Sequence, residues 1–245
     1  MDFNLAHLWA GMGVSVKVIA IVLSIQALAC IAVTIDRLAL IVVGQIKSRR
    51  FAGVVGAPLK AGDKTAVLAL MKEAKGAHLA EYLETGLRTF ADRRAGGHDE
   101  ARAAEFANRA LERKAEVLSG NLNKGMNVLA STGSTAPFIG LLGTVLGILN
   151  AFKLVSQEGS GGMSTIGVPI SEALIVTGFG LVVAIPSVLL FNFLSAKIAA
   201  YESGLGNAGK ELVDQLEAGV IQLSDKPSKS ASDKGLEGAA AVATA

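Results

Sequence analysis

The sequence predicts an all-α integral membrane protein, with three long transmembrane helices extended into the cytoplasm and a helical cytoplasmic block after the first. Three observations predict it. Apolar residues make up 51% of the 245-residue chain and charged residues only 18%, with a mean hydropathy of +0.48. Three stretches lack Asp, Glu, Lys and Arg: 18 residues between Lys17 and Asp36, 28 between Lys124 and Lys153, and 24 between Glu172 and Lys197. About 20 apolar residues at about 1.5 Å rise cross a hydrocarbon core of about 30 Å. The charges gather instead in residues 45–125, which hold 15 of the 23 bases and 10 of the 21 acids.

Residues 1–13 are read as a periplasmic N-terminus and 14–36 as the first span. A secretory leader would begin with basic residues, yet Met1 to Val16 contains none. Ala27-Leu28-Ala29 resembles a cleavage site, but apolar character resumes at Ile31, so this segment reads as a retained span.

Residues 37–125 are expected to be a cytoplasmic helical region. Val67, Leu68, Leu70, Met71, Leu79, Tyr82, Leu83 and Leu87 recur at helical spacing from Lys64 to Phe90, until Gly96-Gly97 interrupts. A second helix begins near Asp99, with Ala103, Phe106, Ala110, Leu111, Val117 and Leu118 on its inner face. Glu105 and Arg109 stand in the favourable i, i+4 order on its surface. This helix is expected to run straight into the second span.

The second span is placed at 126–155, a Gly/Ser-rich periplasmic turn at 156–168, and the third span at 169–196, with Pro169 starting its helix. A cytoplasmic helical extension, 197–225, and an aperiodic Ala/Ser/Lys-rich tail, 226–245, read as disordered, complete the chain.

Bases near the span ends set the orientation. Arg37, Lys47, Arg49 and Arg50 follow span one; Arg109, Arg113, Lys114 and Lys124 precede span two; Lys197 follows span three. The opposite side has Lys17 and Lys153 alone, so the N-terminus is expected outside and the C-terminus in the cytoplasm.

Several chemistries find no support. Cys30 is the sole cysteine, which excludes an intrachain disulfide and a cysteine-cluster metal site. His7, His78 and His98 include no i, i+4 pair, and neither a P-loop nor a G-x-G-x-x-G motif occurs. No catalytic residue, metal or cofactor is expected, the chain does not read as an enzyme, and its net charge of +2 gives no reason to expect nucleic acid.

Small residues instead form two seams. Ala136, Gly140, Gly143 and Gly147 recur at spacings of 4, 3 and 4, and Ala173, Thr177, Gly180, Ala184 and Ser187 at 4, 3, 4 and 3. In lipid, small residues let helix backbones approach closely. Each seam therefore packs helices within one subunit or meets a lumen or partner helix, and two long seams favour an oligomer. Glu172 is the acid of span three. A carboxylate in a membrane costs at least a few kcal/mol, so it is expected to face the bundle interior or water; the alternative is an interfacial Glu, three residues after Pro169. Thr144 lies 18 residues before Gly162 and Thr177 15 after it, which sets both hydroxyls at similar depth. A buried threonine often merely bonds its own helix; a hydroxyl from each helix beside an acid is a polar path for protons. Pro137 and Pro186 stand mid-span.

The runs STAPFIGLLGTVLGILNAF (Ser134 to Phe152) and ISEALIVTGFGLVVAIPSVLLFN (Ile170 to Asn192) resemble the ExbB/TolQ family, relatives of the flagellar stator subunit MotA. The family's AP-x-x-GLLGTV and EAL-x-x-T-x-x-GL-x-x-AIP segments are present in order with a short connection. Three spans place the chain on the ExbB/TolQ side. The resemblance implies a homopentamer in the bacterial inner membrane. Its pore would enclose two copies of an ExbD/TolR-like single-span partner that carries a membrane aspartate. The proton-motive force would then drive motion passed to a TonB/TolA-like or other envelope-spanning effector, in nutrient uptake, envelope integrity or gliding motility. By the same resemblance Thr144, Thr177 and Glu172 are the pore residues. A secondary transporter and a static scaffold are the alternatives. The first would show internal repeats, which are not seen, and the second leaves Glu172 unexplained.

Overall fold

The computed structural model describes residues 12–61, 64–158, 163–219 and 221. Among the described residues six helices follow one another: α1 (Val14–Lys60), α2 (Lys64–Glu73), α3 (His78–Ala95), α4 (Glu100–Leu122), α5 (Met126–Glu158) and α6 (Met163–Glu217). Three of them, α1, α5 and α6, are long and apolar enough to cross a membrane. At about 1.5 Å per residue, α1 and α6 run about 70 and 80 Å, more than twice a hydrocarbon core. Both helices therefore continue well past the length that one span requires, and α6 ends at Glu217. Residues 1–11 of the expected N-terminus, 159–162 of the turn, and the tail lie outside the described residues.

The chain forms two compact units, one of Met1–Ala39 with Asn123–Lys197, the other of Leu40–Leu122 with Ile198–Ala245. In the first unit Val16, Ile19 and Leu23 of α1 form a core with Ala136 of α5 and Val176, Val183 and Ala184 of α6. Its outer face is apolar: Phe138 is 71% exposed and Val182 67%, with Leu28, Leu149 and Leu189 also bare. Such an apolar exterior suits a lipid solvent.

The second unit has the opposite pattern. Helices α3 and α4 bury Tyr82, Leu83, Leu87 and Phe90 with Ala103, Ala107, Leu111, Leu118 and Leu122. Outside, Arg88 pairs with Glu84 at 2.7 Å, Lys114 with Glu81 at 3.2 Å, and Arg109 with Glu105. Gly97 takes φ +85° between the two helices, and Asp99 caps α4 through its carboxylate, which accepts the Arg102 N–H at 3.0 Å. Val117, expected on the inner face of α4, is 58% exposed. The stripe runs instead through Ala104, Ala107 and Leu111, which keep the spacing of 3 and 4 on to Leu118 and Leu122.

Three helix boundaries differ from expectation. The Lys64–Phe90 pattern divides at Gly76, whose φ of +79° ends α2 in a conformation that side chains disfavour. The helix expected to run into span two stops at Leu122, because Gly125 takes φ +82° and α5 starts afresh at Met126. Helix α6 begins at Met163, not Pro169, so Pro169 and Pro186 both lie inside it.

Candidate functional site

The two small-residue seams meet each other. A Cβ placed on Gly180 would lie 2.7 Å from the Ala136 carbonyl oxygen and 3.1 Å from the Gly140 Cα. One on Gly140 would lie 3.1 Å from the Thr177 Cα, and one on Gly147 2.5 Å from the Ala173 Cβ. Gly143 meets the Val176 side chain, with Ile19 of α1 just beyond. The backbones of α5 and α6 are thus close enough that glycine alone fits at these levels. Ala136, Ala173 and Ala184 are buried in the same contact. Ser187 faces α1, its hydroxyl donating to the Val183 carbonyl at 2.7 Å and to the Cys30 sulfur at 3.4 Å. One member of the seam was missed in the sequence. Gly133 packs so tightly on Val188 that a Cβ there would lie 2.5 Å from a methyl group, and its place three residues before Ala136 continues the spacing.

The polar groups are set around this contact. Thr177 donates its hydroxyl across the helix pair to the Gly140 carbonyl at 2.8 Å. Thr144, four residues further along α5, donates to the Leu141 carbonyl of its own helix at 2.7 Å. The two hydroxyls lie within about one turn of each other in depth, as their distance from the turn implies. They bond backbone carbonyls rather than one another. Because α6 starts at Met163, Glu172 is nine residues into the helix and only 6% exposed. Its layer holds Ala173 and Gly147, and Lys17 of α1 is the basic side chain within electrostatic reach. The inner face of α6 therefore carries a carboxylate, small residues and a hydroxyl in succession. Ser131, Ser134 and Thr135 stand on α5 beyond them, and the latter two hydroxyls donate to the Ser131 carbonyl. Among the described residues no cluster of three or more His, Cys, Asp or Glu is placed to hold a metal ion.

Residues 74–205, more than half of the chain, match the MotA/TolQ/ExbB proton channel family. The match takes in α3, α4, α5 and the part of α6 that carries Glu172 and Thr177. The chain is similar to the biopolymer transport protein ExbB of Xanthomonas campestris pv. campestris (strain B100), with 48% identity over 92 residues, 38% of this chain and 36% of that protein. It is similar to the protein of the same name from Salmonella typhimurium, 33% identical over 118 residues, 48% of each chain. The Neisseria meningitidis serogroup B protein of that name is 54% identical over 71 residues, 29% of this chain and 32% of its own. The chain spans between about a third and a half of the length of these curated relatives.

Proposed function

This chain belongs to the MotA/TolQ/ExbB proton channel family, and from that premise we propose that it is the proton-channel subunit of an inner-membrane motor. The motor couples the proton-motive force to mechanical work on envelope components; the family's description as a proton channel supports the proton coupling. Glu172, Thr144 and Thr177 are its proton-path residues. The observation that carries this reading is Glu172: a carboxylate enclosed at 6% exposure within an apolar helix, beside the small residues Ala173 and Gly147 and within electrostatic reach of Lys17. Such a group is costly to keep unless it works, and intramembrane acids mark ion pathways. A static scaffold needs the glycine seam but not the acid.

The assembly is a homopentamer around two copies of an ExbD/TolR-like single-span protein. Large apolar side chains along the outside of α5 and α6, among them Phe138, Leu142, Leu181 and Val182, supply surface for lipid and for neighbouring subunits. The N-terminus is periplasmic; residues 37–125 and the C-terminus are cytoplasmic, as the bases flanking the spans imply.

Co-expression with a neighbouring gene for a single-span protein carrying a membrane aspartate tests the assembly. Native mass spectrometry is expected to report five copies of this chain with two of the partner. A dominant stable monomer that captures no partner contradicts it. Cysteine labelling checks the orientation: Ser160→Cys is expected to react from the periplasm and Ser119→Cys from the cytoplasm.

A further inference from the structure

In the second unit, three side chains far apart in sequence form one hydrogen-bonded chain. The Ser48 hydroxyl on α1 lies 2.9 Å from the Tyr201 hydroxyl on α6. The Tyr201 hydroxyl lies 3.2 Å from Nδ1 of His78, the first residue of α3. The backbone N–H of Leu79 donates to Ser48 Oγ at 3.3 Å and closes the loop. Fit is tight on the α1 side, since a Cβ on Gly44 would lie 2.9 Å from the His78 ring. Ser48 is buried, and a cavity of about 370 Å³ reaches Ser48, Leu79 and Tyr201, which gives water access to the chain.

We propose that the Ser48–Tyr201–His78 chain is a proton-sensitive latch that fastens the start of α3 to α1 and α6 and lets go when His78 is protonated. The Leu79 N–H donates to Ser48. In the fastened state we assign Ser48 as the donor to Tyr201 and Tyr201 as the donor to the Nδ1 lone pair, so that His78 is neutral with its proton on Nε2. A proton from water that adds to Nδ1 removes that lone pair. The Tyr201 hydroxyl then has no acceptor there and must turn, so the donor order reverses and the contact is left to a half-buried imidazolium, the form that burial disfavours. A cation at this point also meets the positive end of α3.

The surrounding charges bear on the same balance. Glu81 stands one turn along α3, Lys114 reaches over from α4, and Lys47 of α1 is held on the Lys75 carbonyl at 3.3 Å. Burial holds the His78 imidazole below its ordinary 6.5; the Glu81 carboxylate opposes this and the Lys114 ammonium adds to it. A histidine whose pKa is lower fastened than released gives a latch that is complete above 6.5. It weakens as the pH falls below that value, and the loss is complete below the lowered one. The latch holds whether or not the chain conducts protons.

Histidine-selective ¹⁵N NMR on the full chain in nanodiscs tests it. His78 is expected as the Nε2–H tautomer and to titrate below the ordinary 6.5. Hydrogen exchange at Leu79 to Tyr82, corrected for intrinsic rate, is expected to quicken on acidification from about pH 7.5 to about pH 5.5. The gain is about tenfold for each unit between the two pKa values. Tyr201→Phe keeps the ring and removes the hydroxyl. It is expected to show fast exchange already at the higher pH, with most of the pH dependence gone. An Nδ1–H tautomer, a His78 that titrates at or above 6.5, or pH-independent exchange at the start of α3 in the unaltered chain overturns the proposal.

Discussion

The two units solve the same problem, burying a helix face, in opposite ways. In the first, glycines and alanines line the contact between α5 and α6 while Phe138, Val182 and Leu189 face outward. In the second, Tyr82, Leu87, Phe90 and Leu111 lie inside while Glu84–Arg88 and Glu105–Arg109 pairs cover the surface. The solvent explains the inversion. In water, removing a large apolar side chain from solvent is the main favourable term. In lipid that gain vanishes, and helices associate through close backbone packing and interhelical hydrogen bonds. The seam is thus a product of the medium. It also sets a polar hydroxyl, Thr177, against a backbone carbonyl at the level where the candidate path runs.

The contrast breaks most sharply at the seam. Gly180→Leu puts a branched chain where even a Cβ lies 2.7 Å from a carbonyl oxygen. Its cost is expected to exceed the roughly 1–3 kcal/mol typical of overpacking and to separate α5 from α6. Gly178→Leu, two residues away, meets nothing within 4 Å and is expected to leave the bundle intact. Protease resistance and thermal melts in detergent distinguish the two, and equal behaviour would show that the seam is not a tight contact.

Leu111→Ala probes the other kind of core. Leu111 is 1% exposed and lies against Gly86, so its truncation is expected to cost about 2–5 kcal/mol. Hydrogen exchange in the full chain is expected to report the loss as weakened protection across α3 and α4. A smaller effect follows from Thr177→Val, which removes one interhelical hydrogen bond, worth about 0.6 kcal/mol on average in a membrane. A melt is expected to show a slight shift for it and less for Thr144→Val, whose hydroxyl bonds only its own helix. The smallest is Glu105→Gln, which removes an exposed pair and is expected to change stability by under about 0.5 kcal/mol in a denaturation series.

Much of this was legible in the sequence, for identifiable reasons. Charge exclusion revealed the spans because a charge in hydrocarbon is costly, and the alternation of 3 and 4 revealed the seams because it follows one helix face. Helix ends were harder. Gly53, Gly86 and Gly120 stay helical, whereas Gly76 and Gly125 take positive φ, and nothing in the local spacing separates the two groups. Pro169 looks like a first-turn residue, yet α6 begins six residues before it. Gly133 follows the seam's own rule and could have been found by extending it one step. The Ser48–Tyr201–His78 chain joins positions up to 153 residues apart and leaves no periodic trace.

The central claim is that Glu172, Thr144 and Thr177 carry protons rather than merely pack. Valine nearly matches threonine in shape and lacks the hydroxyl, and the structure assigns Thr177 only one interhelical hydrogen bond to lose. The direct measurement is proton-motive-force-driven output of the assembled complex, scored where complex abundance equals that of the unaltered chain. At a driving force of about 2.3 kcal/mol per proton for each 100 mV, the Thr144→Val, Thr177→Val double variant and Glu172→Ala are both expected to lose nearly all output. Full output from the double variant, at normal abundance, would contradict the account.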